Sequence, residues 1–210
     1  MAELDLTKIA NASINTPAAG VVAMFFDTTE TVFASKDSAG DVHGIDGSMY
    51  AIVEAGDFNL LTTSGVQSCF PTTKDVWTLK ASTTYWMKGF YVITKSTTTV
   101  TTAIAFAAGG SLSITSMLLE CWSFHAAADT TTATLAGTYV DQLASTVVNA
   151  TSTANVAISF AGLIRVNVAG TLTPQINFSA NTTTPVMKAN SYIKFTPAGS
   201  NTTNIRGNVG

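Results

Sequence analysis

The stretch "VAISFAGLIRVNVA", residues 156–169, decides the fold. Its bulky apolar residues alternate along the chain, at Val156, Ile158, Phe160, Ile164, Val166 and Val168. Smaller or polar side chains fill the positions between them, namely Ala157, Ser159, Ala161, Arg165 and Asn167, with Leu163 as the exception. A period of two is that of a half-buried strand in an antiparallel sheet. The stretch therefore predicts an antiparallel β-protein, with one face of this strand in the core.

Three other segments show the same period. In 171–180, bulky Leu172, Ile176 and Phe178 alternate with polar residues. Two further segments, "TTYWMKGFYVITK" (83–95) and "SMLLECWSF" (116–124), carry bulky residues on both faces. In the first segment, one face has Tyr85, Met87, Tyr91 and Ile93, and the other has Trp86, Phe90 and Val92. In the second segment, one face has Met117, Leu119 and Cys121, and the other has Leu118, Trp122 and Phe124. Further strands are predicted near 50–54, 58–62, 66–70, 76–80, 100–107, 138–149 and 191–197. Many short strands separated by turn residues predict a β-sandwich over residues 48–210.

Residues 1–47 are predicted to form a separate arm. Three short β-type runs, 21–26, 31–36 and 42–45, are separated by Asp- and Gly-containing turns, and only residues 3–12 have a helical tendency. A meander of this size cannot bury a core of its own. The first run, "VVAMFF", is apolar on both faces and calls for cover. We expect it to anchor the arm on a larger particle, through Val21, Val22, Met24, Phe25 and Phe26.

The composition limits the partners. Charged residues make up 11% of the 210 residues, against about 25% in ordinary soluble domains. The net charge is −3, with four lysines against ten acids in residues 1–80 and six basic residues against three acids in 81–210. This balance predicts no nucleic-acid partner. Since the apolar runs are far too short for a spanning helix and the first residues are acidic, we expect neither a membrane partner nor a secretory signal.

Several segments resemble a jelly-roll module of bacteriophage virion proteins, akin to the trimeric tumour-necrosis-factor-like jelly roll. They are "TTYWMKGFY" (83–91), "GLIRVNVAGTLTPQINFSA" (162–180) and "MKANSYIKFTPAG" (187–199). The arm segment 15–45 resembles the hairpins that often precede this module, and Lys88 departs from the acidic residue often found before the glycine of "WMKG". The resemblance implies an all-β fold, with an N-terminal hairpin or meander arm before a jelly-roll sandwich. It also implies a homotrimer with a structural or binding role.

No pattern in the chain favours catalysis, a metal or a cofactor. His43 and His125 lack the spacing of zinc ligands, and the spacing of Asp37, Asp41 and Asp46 does not fit a calcium loop. Glu120 and Asp141 are isolated acids, so a glycoside-hydrolysing pair has no support. We therefore predict a protein that is not an enzyme. Whether Cys69 and Cys121 pair stays open, although synthesis in a reducing cytoplasm favours free thiols.

The predicted role is that of a phage virion structural protein. A capsid decoration (cement) protein or head fibre, made in the host cytoplasm and attached to the major capsid protein or another virion protein, is favoured. The alternative is a short tail fibre that binds a host surface glycan. Large aromatic residues left over on the second strand faces should meet another copy, because soluble chains seldom expose such patches. The residues predicted to line the trimer axis are Trp86, Phe90, Trp122 and Phe124.

Overall fold

The computed structural model describes residues 8–9, 14–27, 32–36, 38, 42–44, 48–53, 56–71, 75–95, 100–126, 135–152 and 155–201. Throughout these residues the regular structure is β-strand, as predicted. The chain divides into two compact units, residues 1–49 and 50–210. The arm was predicted to end at residue 47.

The first unit contains one small sheet, made of β1 (Lys8–Ile9), β2 (Ala23–Asp27), β3 (Val32–Lys36) and β4 (Val42–Gly44). Strands β2, β3 and β4 form an antiparallel meander, and β1 joins β2 in parallel. Phe25 and Ala34 lie opposite each other in the meander and are buried. The helical tendency of residues 3–12 is wrong at Lys8–Ile9, which pair with β2; the other residues of that segment lie outside the described residues.

The second unit contains the remaining strands, except that Met49, the first residue of the fifth strand, belongs to the first unit. Their bounds are β5 Met49–Ile52, β6 Phe58–Asn59, β7 Gly65–Ser68, β8 Trp77–Leu79, β9 Thr83–Thr94, β10 Val100–Gly109, β11 Ser113–Ala126, β12 Leu135–Val140, β13 Thr146–Ser152, β14 Asn155–Val168, β15 Gly170–Phe178, β16 Val186–Met187 and β17 Tyr192–Ser200.

These strands form two antiparallel sheets packed as a jelly-roll-like sandwich, which confirms the predicted fold. The large sheet has the order β12-β11-β14-β9. The other edge of β9 pairs with both β17 and β16. Strand β17 also pairs with β5, and β16 with β6. The small sheet has the order β13-β10-β15-β7, with β8 also on β15. From β9 to β15 the chain crosses repeatedly from one sheet to the other, so distant segments become neighbours.

The strand predicted near 138–149 is wrong as one element. It is two strands in different sheets, since β12 pairs with β11 while β13 pairs with β10. The connection has already left β12 at Asp141, and the carbonyl of Leu143 accepts a hydrogen bond from the Phe106 amide at 2.8 Å. The connection contains the apolar residues Leu143 and Ala144, so the sequence had indicated one continuous strand.

The core between the sheets is aromatic. The Tyr91 ring meets the rings of Phe70 and Phe160 edge-on, at centroid distances of 5.8 and 5.1 Å. Trp77 lies 5.5 Å from Phe195, so side chains of both sheets interlock. Gly89 makes room for this packing, because a Cβ at that position would overlap the Phe160 ring on the adjacent strand.

The predicted inward faces of β9, β11, β14 and β15 are buried, with one exception. Val168 is exposed, because it lies at the last pair of β14 with β11, where the register shifts near Ile114.

Both cysteines are free and buried in the core. Burial raises the pKa of the Cys121 thiol to about 12 and that of Cys69 further still. Thiols in this state are protonated and behave as small apolar groups. The open question of pairing is thus answered in favour of free thiols.

Candidate interaction surface

The outer face of the large sheet carries large apolar side chains that other residues of the sandwich leave exposed. They come from β9, β11 and β12, and we call this surface the aromatic face: Trp86, Phe90, Leu118, Trp122, Phe124 and Tyr139. Trp86 is 56% exposed and Tyr139 67%, whereas Phe90 is half-buried. The alternation that buries Tyr85, Met87 and Tyr91 turns their neighbours outward.

The sheet register arranges this face in rows that run across the strands. Three apolar rows are Leu118–Leu163–Trp86–Thr196, Gly137–Trp122–Ser159–Phe90–Tyr192, and Phe124–Ala157–Val92. Residues directly opposite each other in a sheet point to the same side. The four residues predicted for the trimer axis, Trp86, Phe90, Trp122 and Phe124, are therefore brought together on one surface. Whether that surface lies at a trimer axis stays a prediction.

A charged row crosses the middle of the aromatic face. Its order is Tyr139–Glu120–Ala161–Lys88–Lys194, between the Leu118 and Trp122 rows. Because one strand separates β11 from β9, the backbones at Glu120 and Lys88 are about 10 Å apart. In the described structure the ammonium group of Lys88 makes no hydrogen bond or ion pair. Glu120 and Lys88 thus lie on the same row without forming an ion pair.

Trp122 is held in place by contacts within its own chain. Its indole Nε1 donates a hydrogen bond to Glu120 Oε1 at 3.0 Å. Its ring lies against β12, since a Cβ added at Gly137 would be 3.0 Å from its Cζ3 atom. Both contacts restrict the ring to the surface of the sheet, where 38% of the residue stays exposed. A preset aromatic ring loses little conformational entropy when a partner covers it.

The centre of the aromatic face is lower than its flanks. On β14 the outward residues are Ala157, Ser159 and Ala161, followed by Leu163 and Arg165 towards the end of the strand. The bulky residues of β11 and β9 stand on either side of these small ones. The face is thus a shallow trough along β14 with aromatic walls.

The outer face of the small sheet is different. None of its strands, β7, β8, β10, β13 and β15, contains a charged residue. Its outward side chains on β15 are Thr171, Thr173, Gln175 and Asn177, and the Asn177 amide reaches Ser145 Oγ at 3.1 Å. Val66 and Val147 are the large exposed apolar residues on the described strands of this sheet. Hydroxyl and amide groups on this surface therefore form hydrogen bonds with water.

The residues predicted to anchor the arm are placed as follows. Val21 and Val22 precede β2 and are exposed, as is Met24, with 51% of its surface accessible. Phe25 is buried opposite Ala34, so it offers no surface to a particle. Phe26 lies in β2, and its side chain is outside the description.

The residues considered for catalysis or metal binding do not come together in the described parts of the chain. No group of three or more His, Cys, Asp or Glu side chains occurs there, and Asp37, Asp41 and Asp46 lie outside those parts. Glu120 belongs to the aromatic face, and Asp141 is exposed after β12. Among the same residues, no helix has the length and apolarity needed to cross a membrane.

Sequence reasoning missed Tyr139 and the charged row. The alternation of β12 is short, and nothing in the sequence indicates that Tyr139 lies beside Glu120. Comparison with known proteins adds no further residues: no protein family, curated protein or solved structure matches the chain.

Proposed function

We propose that this chain is a non-enzymatic structural protein of a bacteriophage particle that assembles with copies of itself through the aromatic face. A capsid decoration (cement) protein or a head fibre is the form we favour. The observation that carries self-assembly is the size and character of the aromatic face. The phage setting rests on the sequence resemblance of residues 83–91, 162–180 and 187–199.

The area of the aromatic face fits an interface. Five strands about 4.8 Å apart and eight residues at about 3.3 Å each span about 600 Å². This area, which includes the charged row, approaches the roughly 800 Å² that each partner contributes to a standard interface.

Three-fold closure is the expected symmetry. Closed rings hide an apolar face without producing open polymers, and the resemblance favours three copies rather than two. Light scattering on the purified chain of residues 1–210 measures the assembly directly. We expect a mass three times that of the 21.8 kDa chain. A stable monomer at micromolar concentration contradicts the proposal.

The arm supplies attachment to the particle in this proposal. Val21, Val22 and Met24 expose apolar surface near the start of the meander. Their partner is the major capsid protein or another virion protein. The double variant Val22→Asp/Met24→Asp should lose binding to particles of the phage that encodes the chain, measured by co-sedimentation. The mass and melting temperature of the sandwich should stay unchanged, as should the particle binding of a Val147→Asp control.

A glycan-binding tail fibre is the second candidate. The observation that favours it is the exposure of the Trp86 and Trp122 rings, because flat aromatic rings stack on sugars and neighbouring copies would otherwise cover them. Tryptophan fluorescence titrated with host surface polysaccharide distinguishes the two roles. A decoration protein with a buried aromatic face should give no quenching, whereas saturable quenching that is lost in Trp86→Ala supports the tail fibre.

A further inference from the structure

We infer that neighbouring copies meet with Glu120 of one copy against Lys88 of the next, around an axis that runs along β14. This inference rests on the proposed self-assembly and names the contacts that direct it. It follows from the charged row, the direction of the strands and the small side chains at the centre of the aromatic face.

The charged row constrains what can cover the aromatic face. Lys88 and Glu120 lie between two apolar rows, so a partner that covers those rows also removes water from the charges. A neutral partner would leave Lys88 buried without a counter-ion, which is strongly unfavourable. The strands of the small sheet contain no charged residue, so their outward side chains offer neither a carboxylate for Lys88 nor a cation for Glu120. The covering surface needs a carboxylate opposite Lys88 and a cation opposite Glu120.

A second copy of the same face provides both groups in one orientation. Rotation about an axis parallel to β14 leaves each residue's height along the strand unchanged. It brings the β11 side of one copy against the β9 side of the next. Glu120 then faces Lys88, because both belong to one row of the sheet. An axis across the strands would instead bring each strand against its own counterpart and set Lys88 against Lys88.

The apolar rows match in the same orientation. Leu118 of one copy faces Trp86 of the next, and Trp122 faces Phe90, since each pair shares a row. A single rotation thus pairs Glu120 with Lys88 and sets the apolar rows against each other.

The middle of the face permits close approach around this axis. The residues of β14 nearest the charged row are Ala161 and Ser159, with Ala157 beyond them. Small side chains on the axis strand let copies pack through their flanks, where β11 and β9 carry the bulky residues. Arg165 lies two rows from Ala161, towards the end of the strand, so its charge is away from the centre.

Charge reversal tests the contact. Glu120→Lys sets a lysine against Lys88, and Lys88→Glu sets a glutamate against Glu120. We expect each single variant to weaken self-association about tenfold or more, since like charges in an interface are repelled. The swapped double variant Glu120→Lys/Lys88→Glu should associate about tenfold more tightly than Glu120→Lys, because the pair is restored with its sign inverted. Both of these variants lack the hydrogen bond from Trp122 to Glu120, so its loss cancels in the comparison. Sedimentation velocity over a dilution series gives these constants.

Mixing the two single variants separates a ring of three from a ring of two. A contact between unlike variants is complementary in both directions, whereas a contact between like variants is repulsive. Every ring of three contains at least one like contact, so an equimolar mixture should stay weaker than the double variant. Full recovery in the mixture indicates a pair of copies; it overturns three-fold closure and supports the Glu120–Lys88 contact.

The controls keep the two proposals apart. Lys80→Glu reverses an exposed charge next to the small sheet and should leave association unchanged. Circular dichroism and the melting temperature verify that each variant is folded. A wild type that assembles while both reversals have no effect overturns the contact and leaves the proposed function standing. A monomeric wild type overturns both.

Discussion

The two sheets of the sandwich meet solvent in different ways. The outer face of the small sheet has no charged residue on its strands, yet Thr, Gln and Asn side chains cover it with polar groups. The outer face of the large sheet carries charges, yet large apolar residues surround them. A low content of charge therefore says little about which surface needs a partner. The informative features are exposed aromatic rings and charges that have no counter-ion among the described residues.

The inner faces of the two sheets are alike by comparison. Both place aliphatic and aromatic residues in the shared core, for example Ile104 and Phe178 from the small sheet and Ile158 and Phe195 from the large one. Strand propensity and period two operate equally in both sheets. The larger difference lies in what covers the outer faces. This separation assigns stability to the inner faces and assembly to the aromatic face, and it can be tested with matched variants.

The largest effect should come from Gly89, on the inner side of the large sheet. An added methyl group would overlap the Phe160 ring, which Tyr91 already holds in place. We expect Gly89→Ala to lower the free energy of unfolding by about 2–3 kcal/mol, as overpacked cores do. Chemical denaturation measures this loss.

Gly137 is the matched control on the aromatic face. It also lies under a ring on the adjacent strand, that of Trp122, but an added Cβ would be 3.0 Å from this ring, whereas at Gly89 it would overlap the Phe160 ring, so at Gly137 a small shift makes room. Gly137→Ala should change the free energy of unfolding by less than about 0.5 kcal/mol. Equal losses of unfolding free energy in the two variants would show that the aromatic face contributes to stability as the core does. The assignment of stability to the inner faces and of assembly to the aromatic face would then be wrong.

The next largest effect should be the loss of self-association when the Trp122 side chain is removed. The ring lies at the centre of the aromatic face, beside Glu120 and across from Phe90. We expect Trp122→Ala to weaken self-association by at least about 2 kcal/mol, the range of interface hot spots. Analytical ultracentrifugation measures the change.

Val147→Ala makes the corresponding truncation on the small sheet, where the residue is 51% exposed. It should leave self-association as it is. If the two truncations weaken assembly equally, the outer face of the small sheet is also an interface and the comparison fails.

The sequence predicted much of this arrangement and missed its cross-strand part. The alternation in residues 83–95 and 116–124 was sufficient to place Trp86, Phe90, Trp122 and Phe124 outside the core. It could not place Glu120 on the row of Lys88, because periodicity is local whereas register depends on strands far apart in sequence. The split of 138–149 between two sheets escaped for the same reason. The sequence alone could predict the direction of the side chains, but it could not predict the order of the strands.

Lys95 is a described side chain that brings a positive charge against the small sheet. It follows β9 of the large sheet, and its Nζ donates hydrogen bonds to the Val100 carbonyl at 2.9 Å and to Thr102 Oγ1 at 3.1 Å, both on β10. The ammonium also lies 5.8 Å from the centre of the Phe178 ring. With only 7% of the residue exposed, desolvation lowers the pKa of Lys95 to about 8.

The smallest effect should therefore appear as a dependence on pH. Because the folded-state pKa of about 8 lies below the usual value of 10.5, protonation favours the unfolded chain. The stability is full above the unfolded value and is lost as the pH falls through the folded one. Between pH 7 and pH 9, the free energy of unfolding of the wild type should rise by about 1 kcal/mol relative to Lys95→Met. The buried thiols act in the opposite direction, since their pKa values are raised, but both proteins contain them and they cancel in the difference. Denaturation of both proteins at one concentration across this range measures the slope, with Lys80→Met as the exposed control. Parallel curves for the wild type and Lys95→Met would mean that Lys95 keeps its hydration where it contacts β10.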